Sequence, residues 1–157
     1  MFTNFENMAD QKDRVIKFFF PSKRITVKDR KGLKLFFLKL LKQEGRKANY
    51  INFIFCSDEY LLDINRNYLN HDYYTDIITF DLSAQPSILE AEIYISVDRI
   101  RDNASSFGIG IGDELLRIMI HGLLHLCGYA DKSRSDISQM RQKEEYYISM
   151  RKGRRST

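Results

Sequence analysis

Hydrophobic and polar positions follow two different periods along the chain, and these periods separate strands from helices. Runs rich in aromatic and β-branched residues predict four strands, at 14–20, 50–56, 77–82 and 91–96. Leucine and phenylalanine at helical spacing in GLKLFFLKLLKQEG predict an amphipathic helix that ends near Gly45. Four more helices are predicted, one opening after Ser57, one over 97–107, one from Asp113 to Gly128, and one from about Ser135 toward Met150.

The order of these elements predicts the fold class. Strand and helix alternate through the first half of the chain, which favours parallel pairing, whereas the strands at 77–82 and 91–96 are close enough to pair antiparallel. We therefore expect an α+β fold, an α/β-type sandwich in which a four-stranded mixed sheet packs with about five helices. One domain is expected to span residues 1–157, with a basic tail from about 151 to 157 that is disordered.

Composition narrows the class of protein. The 157 residues are 43% hydrophobic and 29% charged, which suits one globular domain, and no apolar run approaches the roughly 20 residues of a membrane helix. The N-terminus lacks the features of a signal peptide, and Cys56 and Cys127 do not form a disulfide framework, so a cytoplasmic location without membrane contact is expected. A net charge of +4 permits nucleic-acid binding without establishing it.

The segment HGLLHLCGYAD, residues 121–131, carries the candidate chemistry. Each residue of a helix advances by about 100°, so His121 and His125 lie on one face. Gly128 ends the helix, and Asp131 then supplies a carboxylate, which completes the pattern H-x-x-x-H-x-x-G-x-x-D. Two nitrogens, one carboxylate and an open position are typical of a catalytic zinc site. We expect one Zn²⁺ per chain, although the same ligands suit other divalent ions.

Two other interpretations of this segment stay open. It could be the capped end of an ordinary core helix, with Asp131 as a turn residue and Cys127 packed in the core. The spacing is also similar to that of the metzincin proteases, H-E-x-x-H-x-x-G-x-x-H, in which the glutamate is the general base. Gly122 occupies that position here and cannot accept a proton, which disfavours a protease; a glycine instead suits close approach by another strand or helix.

Three segments resemble the YbeY family, the bacterial endoribonucleases and rRNA maturation factors. HGLLHLCGYAD resembles the family signature H-G-x-L-H-L-x-G-Y-D-H. INRNYLNHDYYTDIITFD, residues 64–81, resembles the family segment L-N-x-x-Y-R-x-x-D-x-P-T-D-V-L-S-F. AEIYISVDRIRDNASSFG, residues 91–108, resembles a G-D-I-x-I-S segment followed by a helix. The three segments keep their family order.

The chain departs from the family pattern at several positions. Asp131 stands where the family has its third histidine, and Ala130 stands where it has the preceding aspartate. Leu69 aligns with the family arginine, although Arg66, one turn earlier, could reach the same space. Tyr74 replaces the proline before the T-D pair, which affects the loop rather than the fold.

The resemblance implies a zinc-dependent endoribonuclease specific for single-stranded RNA, acting late in maturation of the 16S rRNA 3′ end and in ribosome quality control. The implied partners are RNA, namely the 16S rRNA precursor, and the small ribosomal subunit, with no DNA expected. We expect Arg66 to serve in catalysis and RNA binding, and Arg117 to contact RNA. Arg117 could equally pair with Asp113. A metal- and RNA-binding assembly factor that does not cut RNA remains an alternative, as does a zinc peptidase.

The general acid and base are not identified by the sequence. Asp76 and Glu92 are candidates, and either could be a plain loop or surface charge. His71 is a further candidate, for which a surface position is the simpler interpretation. Tyr73 and Tyr74 could stack on RNA bases or simply pack in the loop.

Overall fold

A computed structural model of the chain describes residues 8–155 as six helices and four strands. In chain order these are α1 (Met8–Val15), β1 (Ile16–Phe19), α2 (Arg30–Gln43), β2 (Lys47–Cys56), α3 (Asp58–Leu69), β3 (Ile77–Asp81), β4 (Ile88–Ser96), α4 (Val97–Phe107), α5 (Ile111–Leu126) and α6 (Arg134–Arg155). This is the expected single α+β domain with a four-stranded mixed sheet.

The sheet has the strand order β1-β2-β4-β3. β1 pairs with β2 and β2 pairs with β4 in parallel, whereas β3 pairs with β4 antiparallel. Both pairing modes expected from the element order are therefore confirmed. In the register, Asn52 of β2 lies directly opposite Glu92 of β4, and Glu92 lies opposite Phe80 of β3.

The two faces of the sheet are covered unequally. Alternate residues of β2 and β4, including Phe53 and Ile93, are fully buried in one core cluster with the apolar faces of α2 and α5. Phe37 of α2, for example, lies against Phe53 with ring centroids 5.5 Å apart. The opposite face is covered only in part, by a small cluster in which Leu61 and Ile64 of α3 join Cys56 and Ile78.

The end of α5 follows the expected glycine signal. Gly128 has a φ of +103°, a left-handed conformation that glycine adopts without strain. The Tyr129 N–H donates back to the Leu124 carbonyl at 3.1 Å. Arg46 Nη1 donates to the Leu126 carbonyl at 3.2 Å and so satisfies another acceptor at the helix end. The chain can therefore reverse direction directly after the two histidines.

Two features differ from the expectations. The eight-residue α1 replaces the start of the strand predicted from Arg14, and this helix is short and polar, with few apolar residues to indicate it in the sequence. The basic end is helical through Arg155, whereas a disordered tail was expected from about residue 151. Arg151 explains the difference, because its side chain is buried, donates to Asp29 Oδ2 at 2.9 Å and lies over the Phe36 ring. Ser156 and Thr157 lie outside the described residues.

No helix within residues 8–155 is long and apolar enough to cross a membrane.

Candidate metal centre

The second half of α5 presents His121 and His125 side by side, one helical turn apart. Their Nε2 atoms lie 3.0 Å from each other, and their ring centroids are 4.5 Å apart. Asp131 comes from the loop that follows Gly128, and its Oδ2 lies 3.2 Å from His125 Nε2 and 3.4 Å from His121 Nε2. The structure thus brings together the three residues that the sequence singles out as ligands.

Hydrogen bonds at the other ring nitrogens determine how the histidines face each other. His125 Nδ1 lies 2.9 Å from the Tyr129 carbonyl, and His121 Nδ1 lies 3.0 Å from Glu144 Oε2. Since a carbonyl or a carboxylate can only accept, both Nδ1 atoms must carry the proton and donate it. In the neutral rings, both Nε2 atoms therefore direct lone pairs at each other and at the Asp131 carboxylate.

Three acceptor atoms that converge in this way repel one another unless a proton or a metal cation lies between them. A tetrahedral zinc ion with bonds of about 2.0 to 2.1 Å places its ligand atoms roughly 3.3 to 3.4 Å from one another. The three observed separations of 3.0, 3.2 and 3.4 Å are close to those edges. Two imidazoles and one carboxylate also form a ligand set that zinc accepts, so the residues present fit the ion.

The loop that carries Asp131 is anchored through its neighbour Tyr129. The Tyr129 hydroxyl donates to Glu44 Oε2 at 3.0 Å, and Glu44 also accepts from Tyr147 at 2.7 Å and from Lys143 at 3.2 Å. Burial alone would raise the pKa of Glu44, but these hydrogen bonds outweigh it and lower the pKa. One charged carboxylate therefore ties the loop to α2 and α6.

A charged network supports His121 from behind. Arg117 donates to Glu114 on its own helix and, at 3.1 Å, to Glu144 Oε1, whose other oxygen accepts from His121. Burial alone would raise the pKa of Glu144, but the hydrogen bond from His121 and the hydrogen bond and charge of Arg117 lower it instead. The carboxylate thus stays ionised and holds the ring and tautomer of His121.

Sequence reasoning missed Glu114 and Glu144. The sequence does contain a signal for Glu144. This residue lies on the buried inner face of α6, together with Met140, Tyr147 and Arg151. A charged residue on the buried face of a helix needs a partner, but the sequence does not say that the partner is a histidine 23 residues away.

An open cavity of about 530 Å³ adjoins the cluster. His121, Asp131 and Arg117 line it together with residues of α6. Asp76, in the residue before β3, is half-buried within electrostatic reach of His121 and Arg117. Burial raises the pKa of the Asp76 carboxyl, and the positive charge of Arg117 only partly offsets that rise. Of the two acidic residues considered for proton transfer, Asp76 is therefore the one placed near the cluster.

The chain is similar in sequence to proteins of one family. The family model described as "Endoribonuclease YbeY" matches residues 21–152. A protein named endoribonuclease YbeY from Cytophaga hutchinsonii is 44% identical over 141 residues, which cover 90% of this chain and 99% of that protein. Another of the same name from Flavobacterium psychrophilum is 50% identical over 111 residues, covering 71% of this chain and 79% of its own.

The chain belongs to the YbeY family. Its fold is also similar to the solution structure of TM1509 from Thermotoga maritima, with a TM-score of 0.62 and 27% identity, covering 89% of this chain and 91% of that one. The resemblance seen in the three sequence segments is thereby confirmed, as is membership of a family of RNA-cleaving hydrolases.

The arginines considered for the YbeY chemistry lie in different settings. Arg66 is half-exposed on α3, where its guanidinium pairs with Asp72. Arg117 lies beside the metal cluster but is held between two glutamates, so the alternative pairing with Asp113 is wrong. Asp113 pairs instead with Lys152 of α6, at 3.0 Å, because α5 and α6 pack against each other.

The remaining candidates lie away from the three ligands. Glu92 faces the other side of the sheet and accepts a hydrogen bond from Tyr94. His71 stacks on Tyr73, with Nδ1 2.9 Å from the Tyr73 hydroxyl, and Arg99 lies over the ring of Tyr74.

Cys127 is half-buried and packs against the main core, as expected. Burial raises the pKa of its thiol to about 11, which disfavours the thiolate that a metal ligand needs.

Gly122, between the two histidines, lies directly against the sheet. A Cβ at this position would lie 3.0 Å from Ile77 Cδ1 and 3.2 Å from Ile93 Cγ2. The glycine therefore lets α5 pack closely on β3 and β4, as the sequence suggested. A side chain at 122 would point into the sheet, so this position offers no place for the general base of a protease.

Proposed function

We propose that the chain is a zinc-dependent endoribonuclease that hydrolyses single-stranded RNA at the centre formed by His121, His125 and Asp131. The convergence of two Nε2 lone pairs and one carboxylate oxygen, with both Nδ1 atoms already donating, carries the proposal. The YbeY name of the relatives supports RNA as the substrate class.

In this proposal, each side chain of the centre has a distinct task. A zinc ion, when bound, supplies a positive charge for a phosphoryl oxygen and makes a water molecule more acidic. His121 and His125 present neutral nitrogens, and Glu144 keeps the His121 ring oriented. Asp76, whose pKa is raised by burial, is suited to hold a proton near the centre.

Substrate binding is assigned to the positive side chains. Arg66 can exchange its exposed partner Asp72 for an RNA phosphate, and it is therefore proposed to serve in catalysis and RNA binding. Arg117 lines the cavity beside His121 and is proposed to contact the same strand. The 16S rRNA precursor as substrate, the small ribosomal subunit as partner and the cytoplasm as location are proposed from family membership.

RNA cleavage with matched proteins tests the proposal. A single-stranded RNA labelled at its 5′ end is incubated with zinc and either the wild type or His121→Ala. We expect internal cleavage by the wild type, abolished by a chelator, restored by zinc and absent in the variant. Equal cleavage by both proteins would contradict the proposal. RNA binding without cleavage would favour the non-cutting assembly factor instead.

A further inference from the structure

The sheet face turned away from α5 carries a groove to which the metal chemistry gives no role. Two adjoining cavities, of about 550 and 260 Å³, share Tyr60, Glu92 and Tyr94, and we call their combined surface the sheet groove. Phe19, Asn52 and Ile54 also line the first cavity, and Phe80 lines the second.

The strand register arranges this face in two rows. Residues paired across strands point to the same side of the sheet, so one row consists of Lys17, Asn52, Glu92 and Phe80. The next row, two residues further along β1, β2 and β4, consists of Phe19, Ile54, Tyr94 and Ile78. A row with polar side chains therefore runs beside an apolar one.

The polar row contains an acceptor that the protein leaves unused. Asn52 Oδ1 is buried and has no hydrogen-bond partner within residues 8–155. Its cross-strand neighbour Glu92 is a second acceptor, which receives the Tyr94 hydroxyl at 2.5 Å. An unsatisfied buried acceptor is costly, and two neighbouring acceptors are stabilised by a ligand that brings N–H donors.

Aromatic side chains of the apolar row and of α3 offer flat surfaces to such a ligand. Phe19 is 44% exposed and Tyr60 is 46% exposed, although both are large aromatic residues. Tyr60 stacks on Tyr94 with ring centroids 6.4 Å apart and an interplanar angle of 26°. Exposed aromatic faces on a sheet are the surfaces on which single-stranded nucleic acids stack their bases.

We propose that the sheet groove binds one RNA base with an exocyclic amino group, stacked on Tyr60 and donating N–H groups to Glu92 and to Asn52, whose half-buried amide turns toward the groove on binding. Adenine, cytosine and guanine carry this amino group, whereas uracil has a single ring N–H between two carbonyls. Lys17 in the same row suits the phosphate of that nucleotide and disfavours an arginine or lysine of a protein partner. This inference rests on the proposed RNA substrate.

The sheet groove is separate from the metal centre. Ile93, between Glu92 and Tyr94 in β4, points to Gly122 of α5, so its two neighbours point to the other side of the sheet. Base binding in the groove would hold RNA at a distance from the scissile bond. Substitutions there should consequently raise KM for RNA and leave both kcat and zinc binding unchanged.

Binding of uncleavable RNA by the full chain, with chelator present, tests this site. The probes are fluorescent 2′-O-methyl hexanucleotides of uridine with one central residue changed to adenine, cytosine or guanine, measured by anisotropy. We expect the amino-bearing probes to bind about tenfold more tightly than all-uridine, in line with the energy of base-edge hydrogen bonds. Asn52→Leu should remove this preference, and Asn52→Asp, which keeps the acceptor, should retain it.

Stacking is tested separately. Tyr60→Leu should weaken all four probes by about tenfold, as expected for loss of one base–aromatic stack. The matched control is Tyr146→Leu, since Tyr146 is also 46% exposed but lies on α6. Circular dichroism should show that every variant is folded.

Two results would overturn the inference. One is equal affinity of the wild type for all probes, or a preference that Asn52→Leu leaves intact. The other is a dimer in sedimentation that Tyr60→Leu dissociates while probe binding is unchanged, which would make this face an interface between copies. Zinc-dependent cleavage that is lost in His121→Ala is read separately. Such cleavage would uphold the proposed function even if base preference were absent. Base preference without cleavage would uphold the base-binding site and contradict the proposed function.

Discussion

The two halves of the proposed metal centre are held in different ways. His121 and His125 lie on a helix that packs tightly on the sheet at Gly122, and their side chains are only 15% and 28% exposed. Asp131 lies on a loop and its side chain is 44% exposed. The fold therefore fixes the two nitrogens firmly, whereas the third ligand depends on the anchoring of a loop.

This difference bears on the departure from the family motif at Asp131. A loop position tolerates a change of side chain length more readily than a position on a packed helix. A carboxylate in place of the family histidine also lowers the net charge of the centre, which should make bound water less acidic than three neutral imidazoles would. The two histidines on the helix would thus stay fixed, and the residue on the loop would determine how acidic the bound water becomes.

Loss of a histidine from the helical half should have the largest effect, measured as zinc affinity. His125→Ala removes a ligand from the rigid pair, and we expect zinc affinity to fall by at least the roughly hundredfold seen for lost supporting residues. Isothermal titration calorimetry with zinc measures this. The control is His71→Ala, because His71 stacks on Tyr73 away from the ligands. Equal losses in both variants would show that α5 does not hold the ion.

Loss of the carboxylate that supports His121 should have a smaller effect on zinc affinity. Glu144→Gln keeps the size of the side chain but removes the charge that accepts from His121 Nδ1. We expect zinc affinity to fall by about 10- to 100-fold. The matched control is Glu145→Gln, an exposed neighbour on the same helix. If both variants bind zinc like the wild type, orientation of His121 does not depend on this contact.

Packing of the helical half can be tested through stability. Gly122→Leu forces a side chain against Ile77 and Ile93, and we expect a loss of about 2 to 3 kcal/mol in the free energy of unfolding. Gly112→Leu, in the first turn of the same helix where a Cβ would meet open space, should be neutral or slightly stabilising. Urea denaturation of both variants makes the comparison, and similar free energies would contradict close packing at Gly122.

Loss of the Glu44 carboxylate that anchors the loop should have the smallest effect on stability, and this effect should depend on pH. Glu44→Gln weakens three charge-assisted hydrogen bonds, and we expect a loss of about 1 to 2 kcal/mol at neutral pH. Because the folded protein lowers the pKa of Glu44 below 4.5, its contribution is complete above that pH and is lost as the pH falls through the lowered value.

Urea denaturation at neutral and acidic pH measures this dependence. Glu59→Gln, an exposed residue of α3, is the control for the loss of one negative charge. A difference between wild type and Glu44→Gln that stays constant down to strongly acidic pH would show that the charge of Glu44 is not what anchors the loop.

Local signals in the sequence were enough to predict that His121, His125 and Asp131 come together. Helical spacing places His121 beside His125, and Gly128 ends the helix so that Asp131 can return, since both rules act within a few residues. The strand pairings followed from the lengths of the connections. These features depend only on residues that are close together in the chain.

Contacts between distant segments were not predictable in this way. Glu144 contacts both His121 and Arg117 because α6 packs on α5. The end of α6 stays helical because Arg151 meets Asp29, 122 residues earlier. A single sequence gives the charge of each such residue but not the element that will lie opposite it.

Zinc stoichiometry of the tag-free wild type beside Asp131→Ala, by elemental mass spectrometry, tests the central claim most directly. The account predicts about one zinc per wild-type chain and little in the variant after the same dialysis, because both the rigid pair and the loop carboxylate are needed. Full zinc in the variant would place the third ligand elsewhere. No zinc in either protein, even after zinc is supplied, would make HGLLHLCGYAD a capped core helix and contradict the metal centre.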